Sequence, residues 1–242
     1  METSQSASSS GDGSHTLLPE SLQDARIASL PQTAYYIPNF ISEEEEQMML
    51  DKISSAPKPK WKQLTKRRLQ TWPSDLVNNK LLDAPLPVWL QDPVISRLLS
   101  LRTKDSEPGH VFSESPHHKP NHVLINEYPP GIGIMPHKMV PRIGPYKDDG
   151  ALDHVPAWRI LQEPRSLLIT ADQLYTDYLH GISDTEEDVD LGANTVANWD
   201  LLGSPAAFAS GKNVRQTRTS LTYRDVLQVS KVGSKLGLFM KR

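Results

Sequence analysis

The run Arg218-Thr-Ser-Leu-Thr-Tyr-Arg224 has residue types and spacing that speak most directly to chemistry. On a strand, residues two apart share a face. Arg218, Ser220, Thr222 and Arg224 therefore point one way, and Thr219, Leu221 and Tyr223 the other. The Leu221/Tyr223 face suits packing on a second layer. The opposite face carries two guanidinium groups separated by two hydroxyls. If it lined a small barrel, each buried arginine would need an anionic partner. The two Cα positions lie roughly 20 Å apart at ~3.3 Å per residue. Arginine side chains leaning toward each other could hold the two ends of a short dicarboxylate through fork-like hydrogen bonds. An edge strand with its arginines in water would carry the same pattern.

Other candidates stand elsewhere. Asn126 and Tyr128 form a second polar pair two apart, an amide and a phenol able to hydrogen-bond the same small acid. His137 follows Pro136, and His180 precedes Gly181; each sits beside a turn, and two imidazoles suit Fe(II), Zn or Cu. His117, His118 and His122 read as loop histidines, with no acid at a helpful spacing. Lys58, Lys60, Lys62, Lys66, Arg67 and Arg68 form an acid-free basic segment, with Trp61 inside it and Trp72 just beyond. Basic residues among aromatics suit phosphate contact and base stacking. An edge hairpin protected by lysines would look similar.

The elements that must position these groups are short. Pro 20 exceeds Gly 13, which argues against a helical bundle and for strands with many turns. Residues 1–16 read as a disordered polar tail, 17–230 as the ordered domain, and 231–242 as a basic C-terminal tail. Ala34–Phe40 reads as an aromatic strand closed by Pro38. Ser42 with Glu45 forms a capping box opening a helix that turns Met48, Met49 and Ile53 inward and ends before Pro57. The acidic run Glu43–Glu46 reads as its solvated first turn. Pro85–Leu101 reads as a helix interrupted by Pro93, and Asn121–Tyr128 as a strand stopped by Pro129-Pro130. Arg165–Thr170 reads as another strand, followed by a small helix at 172–177. Ser183–Asp190 reads as an acidic loop, and Val214–Val229 holds the last strong element.

Composition excludes several classes. Lys+Arg 26 against Asp+Glu 29 gives a net charge of −3, so nucleic-acid contact would require a local patch. Cys 0 rules out a disulfide scaffold, a thiolate metal site and a cysteine nucleophile, and suits a reducing interior. No apolar run approaches the ~20 residues of a membrane helix, and no signal peptide is evident.

Taken in order, Asn126-x-Tyr128, His137, His180 and Arg218-x-Ser220-x-Thr222-x-Arg224 resemble the AlkB family of Fe(II)- and 2-oxoglutarate-dependent dioxygenases. Tyr35–Ser42, Asn121–Gly131, Met135–His137 and Leu161–Leu168 extend the likeness, which covers about Ala34 to Val229. The resemblance implies a mainly β fold with flanking helices, a double-stranded β-helix or jelly roll. It implies that His137 and His180 ligate Fe(II). Arg218 would pair with the distal carboxylate of 2-oxoglutarate and Arg224 with the carboxylate beside the keto group. Asn126, Tyr128 and Ser220 would complete the cosubstrate pocket. The implied activity is oxidative demethylation of alkylated RNA or DNA, consuming molecular oxygen. The basic segment Lys58–Arg68 falls where family members carry a nucleotide-recognition lid. A monomer, no membrane partner, and a nuclear or cytoplasmic location are expected.

The sequence departs from the family at one place. The family's iron is held by His-x-Asp and a distant His; here the run is His137-Lys138-Met139. Two apolar strands expected after His137 are replaced by Lys138–Lys147, and the histidines are 180 − 137 = 43 positions apart. Three explanations stand. The chain lacks a segment with two core strands; it is a degenerate, non-catalytic 2-oxoglutarate- or nucleic-acid-binding module; or Asp148, Asp149 or Asp153 supplies the third ligand.

Overall fold

The computed structural model describes residues 17–31, 33–103, 109–137 and 156–230. In chain order its elements are β1 (Ala34–Ile37), α1 (Glu43–Ser54), β2 (Lys62–Gln63), β3 (Arg68–Trp72), β4 (Leu81–Leu82), α2 (Val88–Gln91), α3 (Val94–Ser100), β5 (His122–Tyr128) and β6 (Ile134–His137). There follow β7 (Leu167–Thr170), α4 (Asp172–Thr176), β8 (His180–Ile182), β9 (Glu187–Asp188), β10 (Asn213–Val214), β11 (Arg218–Arg224) and β12 (Val229–Ser230).

An antiparallel sheet in the order β11-β5-β3-β2 carries the arginine strand. The pairs β1–β7, β6–β8 and β9–β10 are also antiparallel, whereas β4–β12 is parallel. The fold is thus a mixture of short helices and mostly antiparallel strands. Both expected tails, and the stretch after His137 where two core strands were expected to be lacking, fall outside the described residues.

The period-two pattern of β5 and β11 explains the principal core. Val123 and Ile125 are fully buried, with Leu221 and Tyr223 packed against the same cluster. Met49 and Ile53 of α1, Leu90 of α2, and Val94, Ile95 and Leu98 of α3 complete it. Gln70 of β3 is the buried polar exception on this face. Its Nε2 donates to the Ile53 carbonyl at 2.8 Å, and its Oε1 accepts from Trp72 Nε1 at 2.9 Å. That pairing satisfies groups whose burial would otherwise be costly. β1 and β7 separate this cluster from a second. Tyr35, Ile37, Leu167 and Ile169 face the first, while Ala34, Tyr36 and Leu168 face the second with Ile27, Leu161, Leu174 and Leu202.

The capping box at Ser42 forms as expected: Glu45 N donates to Ser42 Oγ at 3.2 Å and Ser42 N to Glu45 Oε2 at 2.8 Å. The acidic first turn is more than solvated, however. Both Glu45 oxygens take Arg97 of α3 at 2.7 Å, and Glu46 takes Arg165 at 2.9 Å. Tertiary arginines distant in sequence have recruited the helix N-terminus. Pro93 divides the expected helix into α2 and α3. The expected acidic loop at 183–190 contains β9. Two acids sit in a strand there because Arg215 neutralises Asp188, with Nη2–Oδ1 at 2.6 Å. Among the described residues no helix is long and apolar enough to cross a membrane.

Candidate functional site

β5 and β11 bring the expected pocket residues side by side. Their register sets Arg218 opposite Tyr128, Ser220 opposite Asn126, and Arg224 opposite His122. Directly opposed residues have Cβ atoms about 5 Å apart, so the polar face of each strand becomes one continuous surface. Tyr128 and Asn126 are buried at 2% and 5% exposure. The Arg218 guanidinium lies over the Tyr128 ring, 4.6 Å from its centroid.

Two polar atoms here are enclosed and have no hydrogen-bond partner among the described residues: Arg218 Nη2 and Asn126 Oδ1. Burial pulls the Arg218 guanidinium below its ordinary range; Tyr128 opposes this, and nearby Arg215 and Arg67 reinforce it. The carboxylate of Asp188 is spent on Arg215, whose Nε and Nη2 it binds. A half-buried cation facing further cations, with an enclosed donor unused, is complementary to an incoming anion. The Asn126 amide, which presents an oxygen or two N–H donors according to its rotation, adds a second adaptable contact.

Arg224 stands at the far end of the seven-residue β11. Its Nε donates to His122 Nδ1 at 3.2 Å. Burial, followed by the charge of Arg224, depresses the His122 imidazole to about 4. His122 is therefore a neutral member of β5, as the strand read over Asn121–Tyr128 implies, and not one of the expected loop histidines. His117 instead pairs with Asp225 (Nδ1–Oδ1 2.5 Å), and His118 Nδ1 meets the Ser113 carbonyl at 2.8 Å. Neither contributes to a metal cluster.

The β6–β8 pair places His137 opposite His180, with Ile134 opposite Ile182. Three steps on β6 match two on β8, so β6 bulges between Ile134 and His137. Proline has no N–H for a ladder and is confined to edges and bulges; Pro136 lies in this span. The extra residue puts His137, rather than Pro136, in register with His180. Gly133 allows the strands to approach at the entry. A Cβ there would meet the Ile182 carbonyl oxygen at 2.0 Å and Asp184 N at 2.8 Å. Asp184 Oδ1 accepts from Gly133 N at 2.6 Å. Hydrogen bonds from Lys66, then Gly133, hold that carboxyl below its ordinary range.

Two imidazole positions alone are an incomplete donor set for iron. Among the described residues no group of three His, Cys, Asp or Glu could hold a metal ion. Asp148, Asp149 and Asp153 lie outside the described residues.

Most of the basic segment folds into the β2–β3 hairpin, and five of its six cations are engaged within the chain. Arg68 forks onto Glu127 at 2.6 and 3.0 Å and covers Trp61 at 4.1 Å. Lys60 donates to the Pro73 carbonyl at 2.9 Å and sits 3.9 Å over Trp72. Lys62 pairs with Asp75 at 2.5 Å, and Lys66 with Asp184 at 2.8 Å. Arg67 reaches the pocket itself, its Nη1 donating to the Tyr128 hydroxyl at 2.7 Å. Sequence reasoning placed Arg67 among nucleic-acid contacts only, because its proximity to Tyr128 depends on β3 pairing with β5.

The probable RNA/DNA demethylase ALKBH6 of Danio rerio is 36% identical to the chain over 235 residues, spanning 87% of this chain and 93% of that protein. The chain belongs to the AlkB family. A second relative, the tRNA (carboxymethyluridine(34)-5-O)-methyltransferase alkbh8 of Xenopus tropicalis, is 28% identical over 218 residues, or 82% of this chain. The alignment covers only 32% of that longer protein. No protein-family model matches the chain. Membership of the AlkB family implies dependence on Fe(II) and 2-oxoglutarate in general, and the AlkB resemblance is the sole basis for expecting Asn126, Tyr128, Arg218, Ser220 and Arg224 at the cosubstrate. Four of these five meet at one end of the β5–β11 ladder; Arg224 lies at the other.

Proposed function

We propose that the chain binds 2-oxoglutarate in the β5–β11 pocket and serves as a 2-oxoglutarate-dependent dioxygenase demethylating alkylated RNA or DNA. The observation that supports this most is the enclosed, unpartnered Nη2 of Arg218 beside Asn126 and Tyr128. In this reading Arg218 takes the distal carboxylate in a fork, and the Tyr128 and Ser220 hydroxyls and the Asn126 amide supply further hydrogen bonds. Arg224 receives the carboxylate beside the keto group. An enclosed guanidinium nitrogen left without an acceptor is a net cost, so ligand binding would repair a deficit built into the free protein. The jelly-roll closure of the barrel is inferred from family membership. The similarity to the probable RNA/DNA demethylase of Danio rerio supports the demethylase reading and the nucleic-acid substrate.

His137 and His180 are the proposed metal positions, with no step assigned to iron because the described donors are too few. A nuclear or cytoplasmic monomer remains the proposed setting. The test is succinate release with Fe(II), 2-oxoglutarate and methylated oligonucleotides. Activity should exceed that of a His180→Ala control; equal traces would remove the enzyme reading.

A second reading, a binding module without turnover, is favoured by the His137-Lys138-Met139 sequence in place of His-x-Asp. It keeps the anion pocket and predicts 2-oxoglutarate binding without succinate release. Titration with Fe(II) separates the two, since only the dioxygenase reading requires tight iron binding linked to 2-oxoglutarate.

A further inference from the structure

The turn between β2 and β3 closes with Leu64 N donating to the Arg67 carbonyl at 2.8 Å, so Arg67 is the last residue before β3. β3 pairs with β5, Leu69 opposite Asn126. This pairing carries the Arg67 side chain to Tyr128, where Nη1 lies 2.7 Å from the hydroxyl and the guanidinium 5.3 Å from the ring centroid. Lys66, the neighbouring residue, fastens the turn to Asp184 beyond β8.

A guanidinium has only donors and no acceptor. In the Arg67–Tyr128 bond the phenol oxygen must therefore accept. Its own hydrogen cannot return to Arg67 and must seek another acceptor. Arg218, over the same ring at 4.6 Å, likewise has only donors. The acceptor that fits both is a carboxylate placed between them. We propose that Arg67, delivered by the hairpin turn, is a positioning residue of the cosubstrate pocket: it occupies the acceptor side of the Tyr128 hydroxyl and so commits that hydroxyl to donating to the distal carboxylate of 2-oxoglutarate held by Arg218. The inference rests on the proposed cosubstrate pocket and assigns to this hairpin residue a task other than contacting nucleic acid.

Calorimetric titration of 2-oxoglutarate into the full chain tests it, comparing wild type, Arg67→Met, Tyr128→Phe, the double variant and Arg67→Lys. Loss of a hydrogen bond to a charged group corresponds to about tenfold in affinity. Arg67→Met and Tyr128→Phe should each weaken binding by about that factor. If Arg67 acts through Tyr128, the double variant is no weaker than Tyr128→Phe alone. Arg67→Lys, which keeps a donor for the phenol oxygen, should recover part of the affinity, separating positioning from a general loss of hairpin structure. Wild-type binding matched by Arg67→Met would overturn the inference and leave the pocket intact; so would single losses that multiply in the double variant. A wild type that fails to bind 2-oxoglutarate overturns the pocket itself and this inference with it.

Discussion

Acidification should destabilise this protein through His122 before the depressed carboxyls of Glu45, Asp75, Asp184 and Asp188 take up protons. The imidazole is fully buried on β5, and its Nδ1 accepts from Arg224, so the native state holds it neutral. Its folded pKa is about 4 against an ordinary 6.5. Between these values the unfolded chain binds the proton and the native chain does not, so stability rises with pH. The contribution is fully present above pH 6.5 and is lost as pH falls toward 4. The shift of 2.5 (6.5 − 4) corresponds to about 3 kcal/mol over the whole window, of which about 2 kcal/mol is lost by pH 5. Asp75, Asp184, Asp188 and Glu45 are held below their ordinary values in the fold, so their contributions persist at pH 5 and decline only in stronger acid. Urea unfolding of wild type and His122→Asn at pH 7 and pH 5 checks this. The wild type should lose about 2 kcal/mol more than the variant between the two conditions. Equal losses would refute the reasoning, since every other group is common to both proteins.

Further expectations concern single groups. Gly133→Ala places a methyl 2.0 Å from the Ile182 carbonyl oxygen, so β6 and β8 must separate; amide exchange of 180–182 should accelerate, and protection equal to wild type would contradict the close approach. Gln70→Leu strips the partners from the buried Ile53 carbonyl and Trp72 Nε1 and should cost about 2–4 kcal/mol in urea unfolding. Tyr223→Phe removes a buried hydroxyl that has no hydrogen-bond partner among the described residues. It should be neutral or stabilising by about 1 kcal/mol; a marked loss of thermal midpoint would mean that the hydroxyl is bonded in solution.

Much of this arrangement was legible from local pattern. The alternation of Arg218–Arg224 fixed which side chains meet the core, and Leu221 and Tyr223 pack there as read. The capping box at Ser42 and the break at Pro93 were equally local signals. What escaped sequence reasoning depends on contacts far apart in the chain. Nothing near Glu45 announces Arg97, 52 residues away, and nothing near Arg67 announces Tyr128. β9 holds two acids, which strand propensity disfavours, and the distant Lys212 and Arg215, which pair with Glu187 and Asp188, make that strand acceptable. The strand at His180 was hidden for a related reason: three residues are too few for a period, and its partner is set by a bulge at Pro136. The histidine pairing could be suspected from family resemblance but derived only from that register.

The central claim is that Arg218 anchors an anionic cosubstrate. Thermal unfolding with and without 2-oxoglutarate tests it most directly, because a ligand that binds only the native state raises the midpoint. Wild type should show a rise that grows with 2-oxoglutarate concentration, and Arg218→Met should show none while remaining folded without ligand. An identical rise in both proteins, or none in wild type at saturating concentrations, would contradict the account.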